Sequence, residues 1–172
     1  FNGAANGAGF GDVNFTSLPG SPITIAVPAG AAAGTYSGTL TVRNSVGGCN
    51  GTGVPFSIIV NGVTPGVIAG DQAICSTGDP AAFTVSTAAT GGGALTYQWQ
   101  SNTSGCGNTF NDIGGATGPT YDPPTISTTT YYRRVVTSTQ NGVPCSAISN
   151  CITVSINNIT AGSITGDQTI CN

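Results

Sequence analysis

Six cysteines, Cys49, Cys75, Cys106, Cys145, Cys151 and Cys171, are the side chains of this sequence best suited to covalent chemistry. Thiols ligate zinc, attack electrophiles or pair as disulfides, and their spacing and neighbours decide among these. None stands in a C-x-x-C pair and the sequence holds no histidine, so a metal centre is not expected. An even number of cysteines in a chain without lysine, rich in strand-forming residues, points to disulfides and an oxidising, extracellular setting.

The carboxylates offer less. Glutamate is absent, and Asp12, Asp71, Asp79, Asp112, Asp122 and Asp167 mostly adjoin Gly, Pro or Asn, where aspartate organises turns. With no His, Glu or Lys, the usual general acids, general bases and Schiff-base formers are missing. A paired-carboxylate glycosidase would need two of the aspartates across a cleft. No two acids lie within two residues of each other, which speaks against a calcium site at a domain junction. No catalytic residue, metal or cofactor is expected.

Two groups could bind rather than react. Arg133 and Arg134 are adjacent and face opposite ways on a strand. One is expected to run its stem over the sheet and bond Asp112, Asp122 or loop carbonyls, the other to point to solvent. Tyr121, Tyr131 and Tyr132 with Trp99 could form a sugar-stacking surface; for Trp99 and Tyr97 a place in the core is the favoured expectation. Sequons stand at Asn14, Asn50, Asn102 and Asn158, and they are expected to be unmodified.

Charged residues make up 5% of the chain, with a net charge of −3, against about 25% in ordinary domains. Solubility therefore rests on Ser, Thr, Asn and Gln. Clusters of Lys and Arg able to neutralise phosphates are lacking, so neither nucleic acid nor an anionic lipid surface is an expected partner. No apolar run approaches the roughly 20 residues of a membrane span. Strong helix formers are scarce while Thr, Val, Ile, Ser and Gly abound, which favours strands joined by tight turns.

The chain repeats itself. Residues 66–75, GVIAGDQAIC, and 162–171, GSITGDQTIC, agree at seven of ten positions at an offset of 96. A self-match at that spacing is the mark of a domain-sized unit in tandem. The expected organisation is the C-terminal part of one unit over 1–62, a complete unit over 63–157 and the first strand of a next unit over 158–172, a window on a longer repetitive chain. NGVTPG (61–66) and NNITAG (157–162) lie at the joints.

Within the complete unit the period of two recurs. AAFTVST (81–87) sets Phe83 and Val85 against Thr84 and Ser86, and LTYQWQ (95–100) sets Leu95, Tyr97 and Trp99 against polar neighbours. FNDIGG reads as a short edge strand, TTTYYRRVVTST (128–139) as strongly β-favouring, QNGVP as a turn, and ITVSI (152–156) as a strand with Ile152, Val154 and Ile156 inward. That makes about seven strands in about 95 residues, the profile of an immunoglobulin-like β-sandwich. In the first segment SPITIAV (21–27), GTYSGTLTVRN (34–44) and VPFSIIV (54–60) read as strands. Tyr36 suits a tyrosine corner, its hydroxyl bonding back to nearby backbone. A half-sandwich exposes its core, so this first domain, incomplete here, needs completing by upstream chain or a neighbouring copy.

The run ICSTGDPAAFT, YQWQS, FNDIGGAT, TYDPP, TTTYYRRVVTS and SNCITV (74–154) resembles the immunoglobulin-like tandem repeats of large secreted Bacteroidetes cell-surface adhesins, of the gliding-motility type. Residues 1–49 resemble a second repeat type of the same proteins. The resemblance implies an all-β, tandem immunoglobulin-like fold and a non-enzymatic role as a disulfide-stapled spacer or fibre element at the cell surface. It also implies that Cys75 pairs with Cys145, leaving Cys106 with Cys151. Pairings 75–106 with 145–151, and 75–151 with 106–145, remain open, the 145–151 bridge being least favoured because those two residues are expected along one strand. Cys49 and Cys171 are candidates for a bridge between units. The expected partners are neighbouring repeats or copies of the chain, with a surface polysaccharide as a further candidate. The alternative functions are a carbohydrate-binding module and an accessory domain of a secreted hydrolase.

Overall fold

A computed structural model describes residues 3–12, 23–44, 46 and 48–169. Among the described residues the fold is all-β but for one short helix, α1 (Gly3–Gly7). Twelve strands follow: β1 (Gly34–Leu40), β2 (Val54–Val60), β3 (Val63–Thr64), β4 (Val67–Ala69), β5 (Gln72–Cys75), β6 (Thr84–Thr87), β7 (Thr90–Gly91), β8 (Ala94–Asn102), β9 (Asn111–Asp112), β10 (Thr130–Gln140), β11 (Val143–Ile148) and β12 (Ile152–Asn157). They fall into two compact units. The first takes residues 1–64, 90–95 and 137–147, the second 65–89, 96–136 and 148–172.

In the first unit β1 and β2 pair antiparallel in unbroken register from Gly34↔Val60 to Leu40↔Val54. Tyr36 lies on the inner face, buried against Phe10 with ring centroids 4.8 Å apart, and Ala5 completes the cluster. The back-bond expected of Tyr36 is present: its hydroxyl donates to the Ala32 carbonyl at 2.7 Å. Leu40 and Val54, at the far end of the same face, are exposed. Elsewhere in this unit Asn61 Nδ2 donates to the carbonyls of Ser138 (2.9 Å) and Val143 (3.0 Å), a side-chain amide standing in for ladder bonds. Asn141 and Gly142 form the two-residue turn from β10 to β11, with φ of 50° and 77°. Positive φ at both central residues is what a type I′ hairpin demands and what Asn-Gly supplies.

The second unit holds most of the strands ordered β5-β12-β10-β8-β9, while the end of β10 and nearly all of β11, which pairs with β10, belong to the first. β10 carries the strongest strand signal, and its side chains alternate in burial: Tyr132, Arg134, Val136 and Ser138 are buried. β12 runs antiparallel to β10 and parallel to β5. β4 and β6 form a separate antiparallel pair. Ile68 from β4 packs with Phe83, Trp99 of β8, Tyr132 of β10, and Ile152 and Val154 of β12, so the core lies between the small pair and the large sheet. Burial of these seven clustered side chains, Ala116 included, is the main favourable term, at about 1.5–3 kcal/mol for each large one.

Three expectations change. Residues 23–27, within the strand expected over 21–27, form no strand; Ser21 and Pro22 lie outside the described residues. Their alternation is real, but Ile23 and Val27 stay exposed and no ladder among the described residues takes them in. Residues 158–169 likewise form no strand, because a strand exists only with a partner and this segment has none among the described residues. The third change concerns Cys145 and Cys151, expected along one strand. Cys145 lies in β11, Cys151 immediately before β12, and Ser149–Asn150 break the chain between them.

The Tyr36 back-bond ties β1 to the preceding turn, so Tyr36→Phe is expected to cost about 1 kcal/mol. Faster amide hydrogen exchange across β1 and β2 in the variant is the measurement that checks it.

Candidate functional site

Cys106 and Cys151 are bonded, with Cα atoms 5.9 Å apart and 45 residues of separation. The bridge ties the loop after β8 to the entry of β12. Cys75 and Cys145, which the resemblance paired, are free thiols. Cys75 is exposed at the end of β5, in register with Asn157 of β12. Cys145 is half-buried on β11 and turns its thiol toward the Asn61 carbonyl at 3.7 Å. Cys49 is a free, exposed thiol. Cys171, the other half of the expected inter-unit bridge, lies outside the described residues.

The two arginines separate by face. Arg133 is half-buried: its Nε donates to Gln100 Oε1 at 2.7 Å, and its guanidinium lies 4.2 Å from the Phe110 ring centroid. Gln100 in turn donates to Asp112 at 2.7 Å. Arg133 is therefore held over the sheet by an aromatic ring and an amide relay, where one arginine had been expected to point to solvent. Arg134 is 1% exposed. It donates to the carbonyl of Pro119 and, at 3.0 Å, to that of Pro65. Its guanidinium sits 4.8 Å from the Tyr97 ring and 5.9 Å from that of Trp99. Both acceptors belong to prolines, which have no N–H and cannot complete a ladder. A planar fork of donors can serve two such carbonyls at once, whereas an ammonium cannot. Burial lowers the affinity of Arg134 for its proton and the neighbouring Tyr97 opposes that shift. Its Nε has no hydrogen-bond partner among the described residues.

Of the four aromatics that could have made a sugar platform, Trp99 and Tyr132 are core and Tyr121 packs against them. Trp99 is fully buried and its indole N–H donates to the Gly118 carbonyl at 3.0 Å. Phe83 stacks edge-on to Tyr132 at 4.9 Å, and Tyr121 lies 5.6 Å from Trp99. Tyr131 is half-buried on the opposite face of β10 from Tyr132. All six aspartates are exposed, and among the described residues no three His, Cys, Asp or Glu side chains gather as a metal cluster. Two sequons are tied into local structure: Asn50 accepts from Arg43 at 2.8 Å, and the Asn102 amide closes its own turn on Gly105 at 3.1 Å. Asn158 is exposed, and Asn14 lies outside the described residues.

The repeated motif has a structural explanation at almost every position. Gly66 and Gly70 take φ of 68° and 141°, and a Cβ at Gly70 would lie 2.7 Å from the Phe83 ring. Ile68 is buried in the aromatic core. Its backbone N–H and C=O are both held by the Asn150 side chain, at 2.9 and 2.8 Å. Asp71 accepts the Thr153 N–H at 2.6 Å, fixing β12. Gln72 grips the Ala81 backbone twice, accepting from its N–H at 2.7 Å and donating to its carbonyl at 2.8 Å. Ile74 packs against the core from β5. Sequence reasoning placed Asp71 as structural but missed Asn150, whose only signal is its position between two strands.

A family model described as a domain of unknown function (DUF8696) matches residues 64–158, which is 95 of the 172 residues, and the chain belongs to that family. No curated protein and no solved structure matches the chain.

Three outcomes follow from this geometry. Replacing Cys106 and Cys151 by Ala is expected to lower stability by about 4 kcal/mol on the chain-entropy argument for a loop of this length, read from urea midpoints. Arg134→Ala, which abandons two carbonyls bonded to a charged donor, is expected to cost about 3 kcal/mol or more, and Arg134→Lys to recover only part of it. The third concerns pH. Burial first, then Asp122, raises the Tyr121 pKa above 10.0. Burial first, then Tyr121, does the same for Tyr132 against an opposing hydrogen bond from Thr130. The folded state holds these protons more tightly than the unfolded one, so their contribution is complete below the ordinary tyrosine range. It is lost as pH rises through the folded values. Urea midpoints read from Trp99 fluorescence should therefore fall between about pH 8 and about pH 11.

Proposed function

We propose that this family member is a non-enzymatic structural repeat of an extracellular adhesin or surface filament, a disulfide-stapled spacer with tandem immunoglobulin-like sandwich architecture. The observation that carries the reading is the repeated motif. The residues that recur 96 positions apart are those that seat the opening strands of the domain, through Ile68, Gly70, Asp71 and Gln72. A residue that recurs with the unit and is occupied in building it serves architecture rather than chemistry. The Cys106–Cys151 bridge supports an oxidising setting outside the cell. Three arginines and no lysine leave trypsin-like proteases few sites, and a low net charge gives a fibre little self-repulsion. Neighbouring repeats or copies of the chain are then the natural partners. The alternatives, a carbohydrate-binding module or an accessory domain of a secreted hydrolase, gain nothing from Trp99 and Tyr132, which lie in the core.

The test is a denaturing gel of native material, with and without reductant, probed with an antibody to this domain. A species of hundreds of kilodaltons in both lanes is the result expected of a covalent tandem array. A ladder that collapses on reduction to the 16.9 kDa of this chain would instead mean subunits joined by disulfides. A band of that mass in both lanes would overturn the covalent fibre.

A further inference from the structure

The first copy of the repeated motif shows what the second copy needs. Around Gly66–Cys75 the domain supplies four things: a pocket beside Phe83 for Ile68, the Asn150 amide for the isoleucine backbone, the Thr153 N–H for Asp71, and the Ala81 backbone for Gln72. The second copy repeats the groups that use them as Ile164, Asp167 and Gln168. There they have no such surroundings. Ile164 is 100% exposed, Asp167 and Gln168 are exposed, and no strand forms over 158–169. Yet Gly166 has φ of 120°, in the same left-handed range as the 141° of its counterpart Gly70, so the backbone already carries the bend that the motif uses before its aspartate. A segment with a fully exposed isoleucine, the repeated contact pattern and that bend has what it needs to join a sheet.

We infer that residues 162–169 are a docking strand for a second domain of this same family. The seat is specified residue by residue: Ile164 enters an aromatic pocket equivalent to that of Phe83, and its backbone is clamped by an asparagine equivalent to Asn150. Asp167 accepts the N–H equivalent to that of Thr153, and Gln168 grips the backbone equivalent to Ala81. This rests on the tandem-domain reading above and adds to it the acceptor and the contacts. The segment recognises a β-sheet edge through main-chain bonds and one anchoring side chain, a mode in which the backbone gives affinity and the pocket gives specificity.

The seat carried by this chain makes the inference testable in trans. A fluorescein-labelled peptide of residues 158–172, with Cys171→Ser to prevent disulfide exchange, is titrated by anisotropy against the full wild-type chain and against the full chain bearing Ile68→Ala. Removing the buried isoleucine handicaps the resident strand by about 30-fold or more, while the remaining contacts of the seat are kept. The expected result is saturable binding to the variant about tenfold or more tighter than to wild type, and about a tenfold loss when the peptide carries Ile164→Ala. No binding to the variant, equal binding to both chains, or indifference to Ile164→Ala overturns the inference. Trp99 fluorescence verifies that the host is folded, and Asp71→Ala serves as host, under the same outcomes, if Ile68→Ala unfolds the chain. The gel described above and this titration fail independently. Covalently linked domains could exist with residues 162–169 as mere linker, and the strand could bind its seat in a chain that forms no giant polymer.

Discussion

A guanidinium sealed inside a sheet must find oxygen acceptors, because a buried charge without them costs more than a domain of this size can offset. Arg134 is that group. It occupies a core-facing position of β10, in the alternating row of Tyr132 and Val136, where any strand of this kind would ordinarily place an aliphatic side chain. Its two acceptors, the carbonyls of Pro65 and Pro119, come from stretches of chain that proline excludes from regular pairing. One cation thus satisfies oxygens that the sheet cannot, and in doing so it fixes where the chain enters the second unit and where the segment before Tyr121 turns. The rings of Tyr97 and Trp99 cover its face, so that the aromatic core and the polar clamp depend on each other.

The same economy runs through the second unit. With hardly any ion pairs available, long-range ties are made by amides. Asn150 holds both backbone groups of Ile68, Gln72 holds both of Ala81, and Gln98 donates to the carbonyls of Trp99 and Ile113, each at 2.8 Å. An amide carries a donor and an acceptor on one plane and so imitates a peptide unit. Each of these side chains extends a sheet across a gap that the backbone leaves open. That accounts for a chain which is 5% charged and yet keeps irregular connections tightly bound.

Strands were legible in the sequence where the period of two met a partner. The rows around Trp99, Tyr132 and Ile152 fold as their alternation indicates, and Asn141–Gly142 turns as that dipeptide should. The alternation of Ile23, Ile25 and Val27 was equally clear and formed no strand, because periodicity reports which face is apolar and not whether another strand lies alongside. β11 was hidden behind Pro144, which disguises a strand that needs bonds on one side only. Alternation indicated that Arg133 and Arg134 face opposite ways but not which one is buried, since nothing local distinguishes a buried arginine from an exposed one; the proline carbonyls that hold Arg134 lie 69 and 15 residues away. Cysteine connectivity is equally non-local: Cys106 and Cys151 meet from 45 residues apart, and Cys145, expected on the same strand as Cys151, lies on a different element.

The early strand β5 and the closing strand β12 lie side by side and parallel, Gln72 facing Val154 and Cys75 facing Asn157. Tension drawn along the polypeptide would pull β5 from its leading end and β12 from its trailing end, in opposite senses along a common axis. Such traction slides the strands past each other and loads every rung of the ladder together, whereas a hairpin tugged at its open end unzips one rung at a time. The direction of a single pair of strands therefore makes this domain better suited to bearing a pull than its few rungs suggest.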